Sequence, residues 1–172
     1  MVVVIGPESS GSVMVSKIIG NVIGASAYGK WTGYAWSPKA ENELRHKNNV
    51  VLHRSFPNGK DYYLDVDKLY NKYKNEYDIK FVITTRDKNI VKLSKQKRFG
   101  RDDNECKLNN DISKEKIKNT IDKYDFFIWS YETFLYLEEI YLYQLYEFLN
   151  VESDFIPNNI FDGNEKYINK PI

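Results

Sequence analysis

The sequence predicts an α/β protein with a parallel central sheet flanked by helices in three layers. Two observations carry that prediction. Short strand-like apolar runs alternate with segments whose apolar residues recur at helical spacing, the pattern of helix-covered parallel sheets. The clearest runs, "VVVI" (Val2 to Ile5) and "IKFVITT" (Ile79 to Thr85), are apolar over consecutive residues, as strands buried on both faces are.

The elements follow in order. Val2 to Ile5 reads as the first strand, and Ser12 to about Gly24 as a helix with Val13, Ile18, Ile19, Val22 and Ile23 as its apolar positions. Tyr28 to Trp36, "YGKWTGYAW", is turn-rich and aromatic and reads as a covering loop; a short helix is expected from Ala40 to Lys47. Val50 to His53 reads as a second strand ended by the turn signal "RSFPNG". Val66, Leu69, Tyr70, Tyr73 and Tyr77 have helical spacing. After the strand at Ile79 to Thr85, Asp87 is placed to cap a helix carrying Ile90, Val91 and Ser94. "FGRDDNECKLNND" reads as a polar loop, with Ser113 capping the next helix (Ile117, Ile121, Tyr124). Phe126 to Ser130 is the fourth strand. One long helix follows, with the stripe Phe134, Leu137, Tyr141, Leu145 and Phe148, and the tail from Asn150 reads as irregular. No repeat or linker divides the chain, so residues 1–172 are expected to form one domain.

Composition narrows the function. The 172 residues suffice for a real core, and 42% hydrophobic content fits a globular protein. A net charge of +1 gives no strong pull toward nucleic acid or an anionic membrane, so neither partner is expected. The apolar start is too short for a signal peptide or a membrane span, and a cytoplasmic location is the expectation. The lone cysteine, Cys106, excludes an internal disulfide framework and any multi-cysteine metal site; no metal is expected.

The first strand runs into "GPESSGSV". Its glycines have the spacing of the phosphate-loop motif G-x-x-x-x-G-K-[ST], but Ser12 stands where the lysine belongs and Val13 where the magnesium-binding hydroxyl belongs. Both losses argue against triphosphate hydrolysis. Backbone N–H groups at a helix start still suit an anion bound without magnesium.

A second stretch, "FVITTRDKNIVKLSKQKRFG", ends a strand in Arg86 and places Ser94 eight residues later. Together with "PESSGS", with "WSYETFLYLEEIYLYQLYEFLN" and with "GNEKYI" near the end, it resembles the sulfotransferases that use 3′-phosphoadenosine 5′-phosphosulfate (PAPS). The resemblance implies a P-loop-like fold. It also implies a PAPS site in which Ser9, Ser10, Gly11, Ser12 and Val13 surround the 5′-phosphosulfate while Arg86 and Ser94 bind the 3′-phosphate. The product would be adenosine 3′,5′-bisphosphate. The implied reaction moves a sulfuryl group onto a hydroxyl acceptor; a carbohydrate or small alcohol is expected, because the aromatic loop from Tyr28 to Trp36 could line a sugar site.

Departures from the family bear on mechanism. Ser9 stands where many members have a Lys or Arg, and Glu8 before it is acidic. Arg54 is the candidate replacement cation, better placed than Lys17 on the first helix. The family's "RKG" segment has no clear counterpart, and Lys97, Arg98 and Arg101 could serve in its place. Where many members have "KTHLP", this chain has "HRSFP", so Ser55 falls on the histidine position and His53 on the lysine position. His53 is the candidate base, since a histidine near neutrality suits proton transfer. Asp61, Asp65 and Glu8 are carboxylate alternatives, and His46 is set aside. Two other functions stay open: a degenerate P-loop nucleotide kinase relative, and an inactive nucleotide-binding module.

Overall fold

The computed structural model describes residues 1–27, 34, 35, 37, 47–59, 62–158 and 160–168. The expected helix from Ala40 to Lys47, most of the aromatic loop, and the alternatives Asp61 and His46 lie outside the described residues. Among the described residues there are four strands: β1 (Val2–Pro7), β2 (Val51–Phe56), β3 (Lys80–Thr85) and β4 (Phe126–Ser130). They form one sheet in the order β2-β1-β3-β4, and every pairing is parallel. Outside β2, an isolated parallel bridge joins Ala35 to His53.

Among the described residues seven helices flank the sheet: α1 (Ser12–Val22), α2 (Val66–Tyr73), α3 (Lys88–Phe99), α4 (Asp103–Ile121), α5 (Tyr131–Leu137), α6 (Glu139–Leu149) and α7 (Glu165–Ile168). Strand alternation splits the core into two layers. Val2, Val4, Val51, Val82 and Trp129 face α1, α5 and α6, where they meet Val15, Ile19, Phe134, Leu142 and Leu145. Val3, Ile5, Leu52, Phe81 and Ile83 face the other way, toward Leu69 and Tyr73 of α2 and Ile117 and Ile121 of α4. The protein is therefore a three-layer α/β fold with a parallel central sheet. None of the described helices is long and apolar enough to cross a membrane.

The order of the strands positions the site. The chain leaves β1 toward β2, then crosses back over β1 to β3, so β1 and β3 are neighbours whose outgoing connections diverge. A crevice opens at the carboxyl ends of such a pair, and the segments after β1 and β3 meet there.

Several boundaries differ from the sequence reading. β2 runs on through Arg54, Ser55 and Phe56, so His53 lies within the strand and pairs with Val4. The polar stretch expected as a loop is the first half of α4. Asp102 accepts from the Glu105 backbone N–H, and the Glu105 side chain returns a bond to the Asp102 N–H, a reciprocal capping box that starts the helix at Asp103. Ser113 is buried mid-helix, and its single hydroxyl proton is shared between Phe56 O and Asn109 O. The long helix is broken at Glu138 (φ 47°, ψ −118°), with no Gly or Pro beside it. Beyond the break, the Tyr141 hydroxyl donates to Ile128 O and accepts from the Ser130 N–H, which pins α6 to the end of β4. Asp87 caps α3 as expected, accepting from the Asn89 and Ile90 N–H groups.

At Gly6 there is no room for a side chain: a Cβ would overlap the hydroxyl and carbonyl oxygens of Thr84 on β3. Gly6→Ala is expected to lower the unfolding free energy by about 1–3 kcal/mol, the usual range for forcing extra volume into a packed interior. Urea denaturation checks this; unchanged stability would show that β1 and β3 can separate without cost.

Candidate functional site

The loop after β1 is built by its own hydrogen bonds. The Ser10 N–H donates to Pro7 O, and the buried Ser10 hydroxyl donates to the same carbonyl at 2.6 Å. It also lies 2.6 Å from the Thr84 hydroxyl, which in turn donates to Ile5 O. Ser9 is held at φ 69°, a left-handed conformation uncommon outside glycine. Gly11 follows at φ 90° and starts α1 without a side-chain cap. The first N–H groups of a helix have no partner within it, so those of Ser12 and Val13 remain as donors at the crevice, where the helix dipole favours an anion.

Arg86 and Ser94 both reach Ser9. The Arg86 Nη1 donates to Ser9 O at 3.1 Å and its Nε to Asn164 Oδ1 at 2.8 Å. The guanidinium stacks over the Tyr131 ring, 4.5 Å from its centroid, and Nη2 is buried without a hydrogen-bond partner. The buried Ser94 hydroxyl donates to Ser9 Oγ at 3.0 Å and accepts from the Tyr167 hydroxyl at 2.9 Å. Arg98 Nη1 approaches Ser9 Oγ at 3.5 Å. The resemblance pairs Arg86 with Ser94 and offers Arg98 from the basic cluster; the tertiary structure adds Asn164, Tyr167 and Tyr131. Of these, Asn164 and Tyr167 belong to the stretch "GNEKYI", and that position in the tail was the available signal.

Behind the loop sits a group of charges. Glu8 is buried, and its Oε2 lies 3.0 Å from Arg101 Nη2. Burial raises the Glu8 pKa against the opposing pull of Arg101, Lys95 and Arg98. Lys95 is fully buried, donates to Asn110 Oδ1, and has its pKa lowered by burial. Cations thus reach the loop from α3 and the turn after it, not from within the loop. Of the expected basic group, Lys97 is exposed and points to no site residue described here, while Arg98 and Arg101 contact Ser9 and Glu8.

The two candidates on β2 lie on opposite faces. His53 faces α1, with Nε2 2.7 Å from the Ser12 hydroxyl oxygen. Arg54 faces the α2 side, with its guanidinium 5.4 Å above the Tyr62 ring. Asp65 caps α2 by accepting from the Lys68 N–H, and Lys17 is exposed on α1. Val13 is partly exposed at the helix start and contributes its backbone N–H.

No protein-family model and no curated protein matches this chain.

Burial, helped by the Arg54 charge, lowers the His53 pKa from 6.5 to about 4. In the unfolded chain the ring titrates near its ordinary value, so the folded state binds fewer protons between those limits. The contribution is complete above pH 6.5 and is lost as pH falls toward 4, with a size of about 3 kcal/mol. His53→Gln is expected to remove that part of the acid destabilisation. Urea titrations across this pH range check it, and equal slopes in the two proteins would count against a buried neutral ring.

Arg86→Ala should release the Asp162 to Ile168 segment, whose docking depends on Asn164, Gly163 and Tyr167. Faster amide hydrogen exchange there, with α6 unchanged, is the expected result.

Proposed function

We propose that this protein is a sulfotransferase that moves a sulfuryl group from PAPS to a hydroxyl acceptor, with a carbohydrate or small alcohol as the acceptor class. One observation carries the reading: Arg86 and Ser94, the pair that the resemblance assigns to a 3′-phosphate, converge on Ser9 of the loop assigned to the 5′-phosphosulfate. Seventy-seven residues separate Ser9 from Arg86, so their meeting is a product of the fold and not of local sequence.

In this reading the N–H groups of Gly11, Ser12 and Val13 and the Ser12 hydroxyl bind the 5′-phosphosulfate. The S–O bond to the 5′-phosphate breaks with its electron pair left on the phosphate oxygen, a new S–O bond forms to the acceptor oxygen, and the acceptor's proton passes to solvent. Negative charge grows on the departing phosphate oxygen. Donors already aimed at that oxygen stabilise it without reorganising. Arg86 offers a planar fork to the 3′-phosphate, and its buried, unpartnered Nη2 is the nitrogen still free of a protein acceptor. Ser9 and Ser10 shape the cradle: the Ser10 hydroxyl is directed inward to Pro7 and Thr84, and the Ser9 hydroxyl toward Ser94 and Arg98. Of the two candidates on β2, His53 acts through its bond to Ser12, and Arg54 remains the candidate cation on the other face of the strand. Magnesium has no assigned role, because neither the loop lysine nor the metal-binding hydroxyl is present. The location consistent with this role is the cytoplasm.

A second reading has its own observation. Ser94 and two nitrogens of Arg86 are already bonded to Ser9, Asn164 and Tyr167. That satisfaction favours a nucleotide-binding module without turnover, and transfer of labelled sulfate to an acceptor would separate the two.

The decisive measurement is titration calorimetry in EDTA. The protein is expected to prefer adenosine 3′,5′-bisphosphate over AMP and ATP by about one to two decades, since a charge-assisted phosphate bond is worth roughly 1.5–3 kcal/mol. Arg86→Ala should erase most of the preference and Ser94→Ala less. Magnesium-dependent ATP binding with no gain from a 3′-phosphate would sink this reading in favour of a kinase relative. Gly11→Val should abolish nucleotide binding, because a branched side chain at this left-handed position meets Tyr131 and blocks approach to the backbone; unchanged binding would reduce the loop to a turn.

A further inference from the structure

We propose that His53 is a positioning residue, whose Nε2–H donates to the Ser12 hydroxyl oxygen and leaves the Ser12 O–H directed at an anion held by the start of α1. The inference rests on the reading of this loop as a phosphosulfate cradle and states how one of its donors is set.

The geometry begins with register. Because β2 extends to Phe56, His53 lies beside Val4 and under the first turn of α1, below the crevice instead of at its edge. The ring is only 7% exposed, and Nε2 and the Ser12 oxygen are 2.7 Å apart. The other ring nitrogen, Nδ1, is buried without a partner among the described residues. A neutral imidazole carries one N–H donor and one acceptor nitrogen. With the proton on Nδ1, a donor would be buried with nothing to accept it, an arrangement that folded proteins rarely tolerate. With the proton on Nε2, the orphan is a lone pair, and the N–H meets the Ser12 oxygen. The second tautomer is therefore the one that the surroundings select.

The consequence falls on Ser12. Its oxygen accepts from the ring, so its own proton is not consumed there. Ser16, one turn later, disposes of its proton in the usual helical way, donating to Val13 O at 2.9 Å. Ser12 is the first residue of α1 and has no helical turn before it to supply such a carbonyl. Its neighbours at the helix start are N–H donors. An anion that accepts from those N–H groups accepts the Ser12 proton as well. In this arrangement the ring is engaged by Ser12, itself buried, and takes no proton directly from an acceptor; its service is to leave the Ser12 hydroxyl proton uncommitted.

Two measurements on the whole chain test the proposal. In the first, nitrogen-15 NMR of the wild-type histidine ring is expected to show Nε2 protonated and Nδ1 unprotonated. An Nδ1–H tautomer would overturn the proposal without any variant being made. The second is a double-mutant cycle in EDTA, with adenosine 3′,5′-bisphosphate as one probe and inorganic sulfate, followed by the Ser12 and Val13 amide shifts, as the other. Ser12→Ala and His53→Ala are each expected to weaken binding by about tenfold, and the double variant no more than Ser12→Ala alone. His53→Gln places an amide N–H near the Nε2 position and is no base; it should stay within about threefold of wild type in binding. A full further loss on adding His53→Ala to Ser12→Ala would overturn the pairing. Sulfate binding without bisphosphate binding would defeat the nucleotide reading and leave the cycle to be judged on sulfate. Failure of both probes to move these amides would overturn the anion role itself.

Discussion

The guanidinium of Arg86 ties four parts of the chain together. Its backbone follows β3, Nη1 holds the Ser9 carbonyl after β1, Nε holds Asn164 of the tail, and its plane lies on Tyr131 of α5. A fork of rigid donors can do this where a lysine, with one terminal nitrogen, could not. The left-handed conformation of Ser9 depends on that hold together with the bonds from Ser94 and Arg98 to its hydroxyl. The position of Ser9 in turn sets where α1 begins.

The loop after β1, Glu8 to Gly11, carries no lysine or arginine of its own. In the present chain the positive charge comes from outside the loop, through Arg86, Arg98, Arg101 and the fully buried Lys95. Glu8 is the counter-charge among them, and burial draws its carboxyl toward the neutral form even though the cations oppose this. The balance of these named groups is positive, although the net charge of the whole chain is only +1. The tail adds a polar cover: Tyr131 donates to Phe161 O and accepts from the Gly163 N–H, and Tyr167 reaches Ser94. Helix α7 has no buried residue, so polar contacts rather than a hydrophobic core hold it over the site.

The capping box at Asp102 has a consequence for the same region. By starting α4 ten residues before the serine expected to cap it, it turns a polar stretch into an ordered wall. That wall buries Cys106 and places Asn110 at the Lys95 ammonium. Ser113, freed from capping, binds Phe56 O and fixes the end of β2 against α4.

The layered α/β class, the four strands, the Asp87 cap and the loop at Gly6 to Ser12 were legible in the sequence, because each is written in local periodicity or turn chemistry. The pairing of Arg86 with Ser94 was what the resemblance implied, and the two helical turns from Asp87 to Ser94 agreed with it. The start of α4 carried a readable signal, Asp102 and Glu105 in capping-box spacing, that its polar composition obscured. Other features had no local signature. The break at Glu138 accompanies the bonds of Tyr141 to Ile128 and Ser130 at the end of β4, partners that no local pattern names. The extension of β2, which carries His53 away from the crevice edge and under Ser12, is decided by pairing with β1. The meeting of Asn164 and Tyr167 with Arg86 and Ser94 joins residues more than seventy positions apart. Sequence determined the alternation of strands and helices; the parallel register and the return of the tail decided which side chains face one another, because those neighbours come into being only when the sheet is assembled.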